Sequence, residues 1–590
     1  MASERVAARK LRQPLAAVVL AFGAAVACGG AALREFPMRP PMARDTDLNP
    51  VKLPCHKEPT PKDPKHVSCA PKVYVSPLAW DGIDNSVFRP LARVFAIDPA
   101  GEAPNVNSMD EVPDSAWFEN RVGAHEIPLE SVLKGACTDK QLLAGETVKD
   151  GEWTIDQGKS NGATPGFRVK LKEKGKYMLK TDAPVPERPT AAAAIGAAAY
   201  FAAGFNTSCE QVIFVKPSSF TLTPGLTVTD NTERTRPFDE KALKKVFDDA
   251  THRGEYVRLQ ASAWLPGYLL GPFRYEKKRD DDPNDIIAHE DRRELRGARL
   301  LAAWLNHFDA REQNSMDSWI GVGGDPKKPE LDPGFVRHYY LDTSDCLGSE
   351  WAWDGISRRL GQSYLLDWGY IAGDFATLGL IKRPWEEVQH HPGMEVFGYF
   401  DVDHFDPETW VNEYPNPAFS RMTERDGAWM ARILSHFTPE MVQGLTAMGR
   451  FQDPARTTYL ASVLEGRLKR ILARYLTRLS PLTNPRLDGS RLCVTDLARQ
   501  SGVSTSLRYG AALTPMDGGS PRQLPVSLPF GAEVCVDLPH SDAAINVTAE
   551  SGTYVIVRIR SSAEGPLDVH LYDLGPNGGF RLAGLERPSP

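Results

Sequence analysis

Strong charge of either sign is missing. In 590 residues, 69 Lys and Arg against 76 Asp and Glu leave a net charge of -7. That balance excludes a general nucleic-acid binder, which needs a basic surface for the phosphate backbone. Long apolar runs are also missing: the stretch 14–27 holds fourteen residues, where a membrane-spanning helix needs about 20. None of the 8 cysteines forms a Cys-x-x-Cys pair, so a structural zinc site or thioredoxin chemistry has no support. G-x-S-x-G and H-E-x-x-H do not occur either, which removes serine-hydrolase and zincin readings. No repeat period is visible, against a solenoid or propeller. What remains is ordinary globular material, with 42% hydrophobic and 25% charged residues, enough for two to four domains.

The first residues read as an address. Arg5, Arg9, Lys10 and Arg12 precede the apolar stretch 14–27, which suits the h-region of an export signal. Ala25-Val26-Ala27-Cys28-Gly29 resembles a bacterial lipobox in which Cys28 is lipidated. An ordinary signal peptide cleaved nearby is the alternative. Gly29 in place of Asp implies, by resemblance to Gram-negative sorting, the outer membrane. Residues 1–28 are thus read as a lipoprotein signal, and the Pro- and charge-rich 29–75 as a tether. Disulfides persist outside the cytoplasm. Cys55 with Cys69 and Cys493 with Cys535 are candidate pairs, although connectivity stays open.

Further on, 76–154 reads as an irregular extension with aromatic anchors. Strands are expected from Trp153, over 167–171 and over 177–180, with Lys180 closing the last. The segment 190–203 is an alanine helix that Thr190 caps and Gly204 ends. Strands follow near 212–215 and 256–263. Helices are expected at 288–307, 422–437 and 459–479. After residue 480 the period falls to two, and 485–590 reads as a β-sandwich-like appendage.

Three features carry chemistry. Asn161-Gly162-Ala163-Thr164-Pro165-Gly166 lies between strands. Glycines let a backbone approach phosphates, and Thr164 or loop amides donate to them, with Lys180 as a charge partner. Next, the long helix runs into 306–314, NHFDAREQN, with Asp309 and Asn314 five apart. In kinases that spacing pairs a proton-accepting Asp with a metal-holding Asn. Last, 337–345 is a strand of bulky residues ending in Asp342, where kinases place their principal metal ligand. Each has a plainer reading, as a strand-joining loop, a chance spacing or a turn residue.

In this order the three resemble atypical kinase-fold proteins, especially HipA-type kinases. Their N-x-D-x4-N loop places its first Asn one residue nearer the Asp than Asn306 stands here. The chain is also similar to uncharacterised exported bacterial proteins sharing D-E-V-P-D-S-x-W-F-x-N-R (110–121), D-D-P-N-D (281–285), H-E-x-R-R-E-L-R-G (289–297) and L-G-S (347–349). The kinase resemblance implies an α+β two-lobed domain over 155–480, with a β-rich N-lobe and a helical C-lobe. It implies ATP and Mg²⁺ as cofactors. Gly162, Thr164, Gly166 and Lys180 would bind nucleotide, Asn314 and Asp342 metal, and Asp309 would be catalytic.

There are departures. The helix 190–203 has no glutamate to pair with Lys180, and Glu187 precedes it by about a turn. Asp342 opens Asp-Thr-Ser rather than Asp-Phe-Gly. Residues 321–335 read as an insert that lengthens the gap between Asp309 and Asp342. The alternative is an inactive, kinase-like envelope protein that binds a protein or glycan partner. Other clusters read more plainly. Asp401, Asp403, His404, Asp406, His390 and His391 form a solvated loop rather than a metal site. Arg279–Asp285 lacks the spacing of a calcium loop and caps the long helix. Arg292, Arg293, Arg296 and Arg299 form a salt-bridged surface rather than a phosphate-facing one.

Overall fold

The computed structural model describes residues 46–57, 67–68, 78–93, 100–159, 164–229, 234–322, 333–348, 353–505, 507–515, 520–541, 553–561 and 565–588. Cys28, Cys69, Gly162 and Ser349 lie outside the described residues, as does the expected export signal. The chain is mixed α+β. Among the described residues no helix is long and apolar enough to cross a membrane.

Strands β1 (Trp153–Gly158), β2 (Gly166–Leu171) and β3 (Gly175–Lys180) form an antiparallel meander. Their alternating residues Ile155, Val169, Tyr177 and Leu179 share one buried core with Phe167, Phe220 and Phe247, as period-two apolar patterning requires. Helix α1 (Arg188–Ala203) then crosses over. Strand β4 (Glu210–Val215) returns to pair with β5 (Tyr256–Ala263), which also pairs with β3. The order is therefore β4–β5–β3–β2–β1, with the short strand Phe220–Leu222 parallel to β1 beyond it. The meander starts at Trp153, two residues before the expected domain boundary.

Alanines make α1 small enough to be buried on nearly every side, so it is a core helix rather than an amphipathic one. Its start differs from expectation. Thr190 lies inside the first turn, where its hydroxyl donates to the Glu187 carbonyl at 3.0 Å. Gly204, left-handed at φ +119°, ends it as expected.

A second sheet holds β6 (Tyr268–Gly271), β7 (Ser315–Gly321) and β8 (Pro333–Tyr340). The pair Val51–Lys52 adds to the far side of β8, and Asp47 is buried 3.1 Å from Arg292. Part of the expected tether is thus docked on the body. Likewise the 76–154 extension is no appendage, because Trp117, Phe118, Val122 and Val132 belong to the helical core.

That core is built by α2 (Arg293–Leu305), α3 (Glu424–Leu434) and α4 (Pro454–Tyr475). The expected helix 288–307 is shortened, beginning with a 3-10 turn at His289–Asp291. The helix expected over 422–437 starts at a Thr423–Asp426 capping box. The one expected over 459–479 begins earlier, capped by Asp453.

The expected arginine surface is buried rather than exposed: Arg292, Arg293 and Arg296 are fully buried, although Arg292 does pair with Glu294 at 3.3 Å and Arg296 with Asp291. Arg293 and Arg296 meet Asp426 and Asp110 or Asp291 instead of solvent. Asp110 is the hub of this layer. Its carboxylate reaches Arg293 at 2.5 Å, Arg587 at 2.5 Å and Arg432 at 3.5 Å. Burial would push its pKa up, yet Arg293, Arg587 and Arg432 hold it well below the usual carboxylate range. Asp285 does not cap α2; it accepts from His289 Nε2 at 2.7 Å and from the Arg279 amide at 2.5 Å.

Past Leu482, a four-stranded and a five-stranded antiparallel sheet close over a shared core of Leu492, Val494, Val536, Val557 and Val569. This is the expected sandwich. Cys493 and Cys535 face each other in register and are bonded. A second disulfide, Cys137–Cys209, was not among the candidate pairs. Cys346 is a buried free thiol.

Candidate active site

Lys180 ends β3 with its neighbours Tyr177 and Leu179 on the core side and its own side chain on the other face. The β7–β8 hairpin supplies what it meets. Ser315 pairs with Tyr340, and the Leu341 amide donates to the Asn314 carbonyl at 2.9 Å. The open end of the hairpin thus sets Asn314 beside Asp342. The paired strands 315–321 and 333–340 fill part of the long gap between Asp309 and Asp342. Of the expected insert 321–335, residues 323–332 lie outside the described residues.

Asp342 is left-handed at φ +49°, which turns its carboxylate toward Lys180. Lys180 Nζ lies 2.9 Å from Asp342 Oδ1, and Ser344 Oγ donates to the same oxygen at 2.6 Å. Burial disfavours both charges, but each outweighs that cost for the other. Asp342 is held well below the usual carboxylate range, and Lys180 is raised. The turn Thr343–Asp345 after it seats on α1, with Thr343 Oγ1 donating to the Ala193 carbonyl at 3.0 Å. A Cβ at Gly196 would come 2.7 Å from Thr343. The small residues of α1 are therefore what lets the Asp342 turn approach.

Helix α2 delivers the third group. Asn306 ends it left-handed at φ +53°, and its side chain accepts from Trp410 Nε1 at 2.9 Å. His307 turns inward to Tyr200 OH at 2.9 Å, and burial lowers its pKa to about 4. Asp309 then accepts from Asn314 Nδ2 at 2.7 Å and pairs with Arg311 at 3.1 Å, with Glu413 beyond Arg311 at 2.9 Å. Burial raises Asp309 well above its ordinary pKa. Arg311 opposes the rise, and the carboxylates Glu413, Asp345 and Asp342 add to it. A carboxylate with a raised pKa is a better proton acceptor near neutral pH.

Lys180, Asp309, Asn314 and Asp342 therefore converge. Gly166 does not act as a loop residue. It is buried in β2 opposite Lys180, where a Cβ would stand 2.3 Å from the Leu179 carbonyl. The Thr164 carbonyl accepts from Lys159 Nζ at 2.6 Å. Glu187 does not reach Lys180, because it is bound to Arg456 and to the Gln452 amide.

No family model, curated protein or solved structure matches the chain. The site stands on its own geometry.

Two residues escape sequence reasoning. Glu210, on β4, is a buried carboxylate close enough for Lys180 to act on its charge; it accepts from Ser208, Ser262 and Gln260. Only the pairing of β5 with both β4 and β3 brings it near Lys180. Lys159 is the other. Only the pairing of β1 with β2 brings it to the site.

Among the described residues, no group of three or more His, Cys, Asp or Glu is suited to a metal ion. His404 pairs only locally with Asp401 at 2.6 Å. Mg²⁺ in phosphoryl transfer uses one or two carboxylates together with phosphate oxygens. Asp342 and Asn314 fit that need: the Asn314 amide nitrogen is committed to Asp309, which leaves its oxygen as a ligand.

Proposed function

We propose that residues 153–480 form a kinase-like domain that transfers a phosphoryl group from a nucleotide in a Mg²⁺-dependent reaction. The observation that carries this reading is the 2.9 Å contact of Lys180 with Asp342, with Asn314 fixed beside it by the hairpin. In kinases the lysine sits on the third strand and the metal-binding Asp follows the catalytic-loop Asn. Lys180 is on the third strand of the meander, and Asp309, Asn314, β7, β8 and Asp342 follow in that order.

Each group has a role. Lys180 pairs with phosphate oxygens as a charge. Asp342 and Asn314 would hold Mg²⁺, which supplies charge neutralisation at the transferring phosphoryl group. Asp309 orients the acceptor hydroxyl and takes its proton as the new P–O bond forms and the bond to the nucleoside diphosphate breaks. The protein is proposed to be exported and attached to the outer membrane through lipid on Cys28.

A second reading is favoured by α1, which carries no acid, and by Glu187, which is bound to Arg456. It is a catalytically silent envelope protein that uses the fold to bind a protein or glycan. Thermal unfolding of the purified protein with ATP, with and without Mg²⁺, separates the two. The phosphotransferase reading predicts stabilisation by about 2.7 kcal/mol at 100 times Kd, only with Mg²⁺ present. No shift in either condition favours the second reading.

A further inference from the structure

The β1–β2–β3 register places a second lysine level with Lys180. Gly158 pairs with Phe167, and the next amide, that of Lys159, donates to the Gly166 carbonyl at 3.1 Å. Gly166 in turn pairs with Lys180. Lys159, Gly166 and Lys180 thus form one row across three strands, with the lysines about 10 Å apart at the backbone. The middle of the row carries no side chain: Gly166 is buried in β2, where a Cβ would stand 2.3 Å from the Leu179 carbonyl.

We propose that Lys159 and Lys180, on either side of Gly166, together hold two adjacent phosphoryl groups. The site then takes a nucleoside di- or triphosphate and discriminates against a monophosphate. This rests on the phosphotransferase reading and adds a binding residue to it.

The surroundings of Lys159 support the assignment. Its ammonium donates to the Thr164 carbonyl, and it has no ion pair among the described residues. Yet it is held where the charges of Lys180, Asp342 and Asp345 all act on it, and burial with Lys180 lowers its pKa to about 8. A cation kept beside another cation, with a carbonyl as its partner, gains most from an added anion.

The test is equilibrium binding of ATP, ADP, AMP and inorganic tripolyphosphate in Mg²⁺ to the wild-type protein, Lys159→Met and Lys159→Arg. Melting curves of each protein without ligand are taken in parallel. The wild type should bind ATP and ADP at least about tenfold more tightly than AMP, the worth of one charge-assisted contact. Lys159→Met should lose that preference with AMP affinity unchanged, and Lys159→Arg should restore it. Unchanged ATP affinity in a folded Lys159→Met protein overturns the two-lysine assignment and leaves the phosphotransferase reading intact. Wild-type protein that binds neither ATP nor tripolyphosphate overturns both.

Discussion

On the proposed phosphotransferase reading, Asp309→Asn is expected to lower phosphoryl transfer by about 10²- to 10⁴-fold, the usual contribution of a positioned general base, with Mg²⁺-nucleotide binding retained. The split follows from geometry. Asp309 is bound to Asn314 and Arg311 and makes no contact with Lys180 or Asp342 within ion-pair range. Asparagine keeps the shape of the side chain but cannot take a proton. Its effect therefore falls on turnover, read as product formed at saturating nucleotide, and not on affinity. An Asp309→Asn protein as active as the wild type would remove Asp309 from the chemistry.

Asp110→Ala costs about 3–5 kcal/mol of stability, the penalty for leaving buried charges without their partner. Three guanidinium groups meet at this carboxylate, from α2, α3 and the residue after the last strand. Arg587 shows what is at stake. Burial lowers its pKa to about 10, with Asp110 opposing, and its other donors go to the Ser480 and Leu482 carbonyls. Losing Asp110 loosens the helical body and the β-sandwich together. Urea denaturation followed by fluorescence should show the loss, with the melting of the sandwich moved to lower urea. A change below about 1 kcal/mol would mean the pairs contribute no more than exposed ones do.

Local patterns were legible where local physics decides. The apolar patterning from Trp153, over 167–171 and over 177–180 marked strands, which the structure extends to 153–158, 166–171 and 175–180, and the alanines with Gly204 marked a helix. Chain order also put Lys180, Asp309, Asn314 and Asp342 in one functional list, and the fold brings them together. What the chain hid depends on long-range pairing. Arg292, Arg293 and Arg296 have the spacing of a solvated face, and only the docking of 46–52, 100–111 and α3 buries them. The motif at 110–121 likewise reads as a loop until Arg432 and Arg587 arrive from more than 300 residues away. Lys159 became visible through register, and Glu210 through the pairing of β4 with β5. Gly166 was read as the end of a loop and opens β2 instead, because a strand glycine and a loop glycine look alike in sequence.

The most direct measurement is the Mg²⁺-dependent melting shift by ATP in the wild type beside Asp342→Asn. The substitution keeps the side-chain volume and removes the charge that Lys180 and a metal ion would share. A shift in the wild type that disappears in Asp342→Asn is the predicted result. Equal shifts in the two proteins, or none in the wild type, would contradict a nucleotide site built on Lys180 and Asp342.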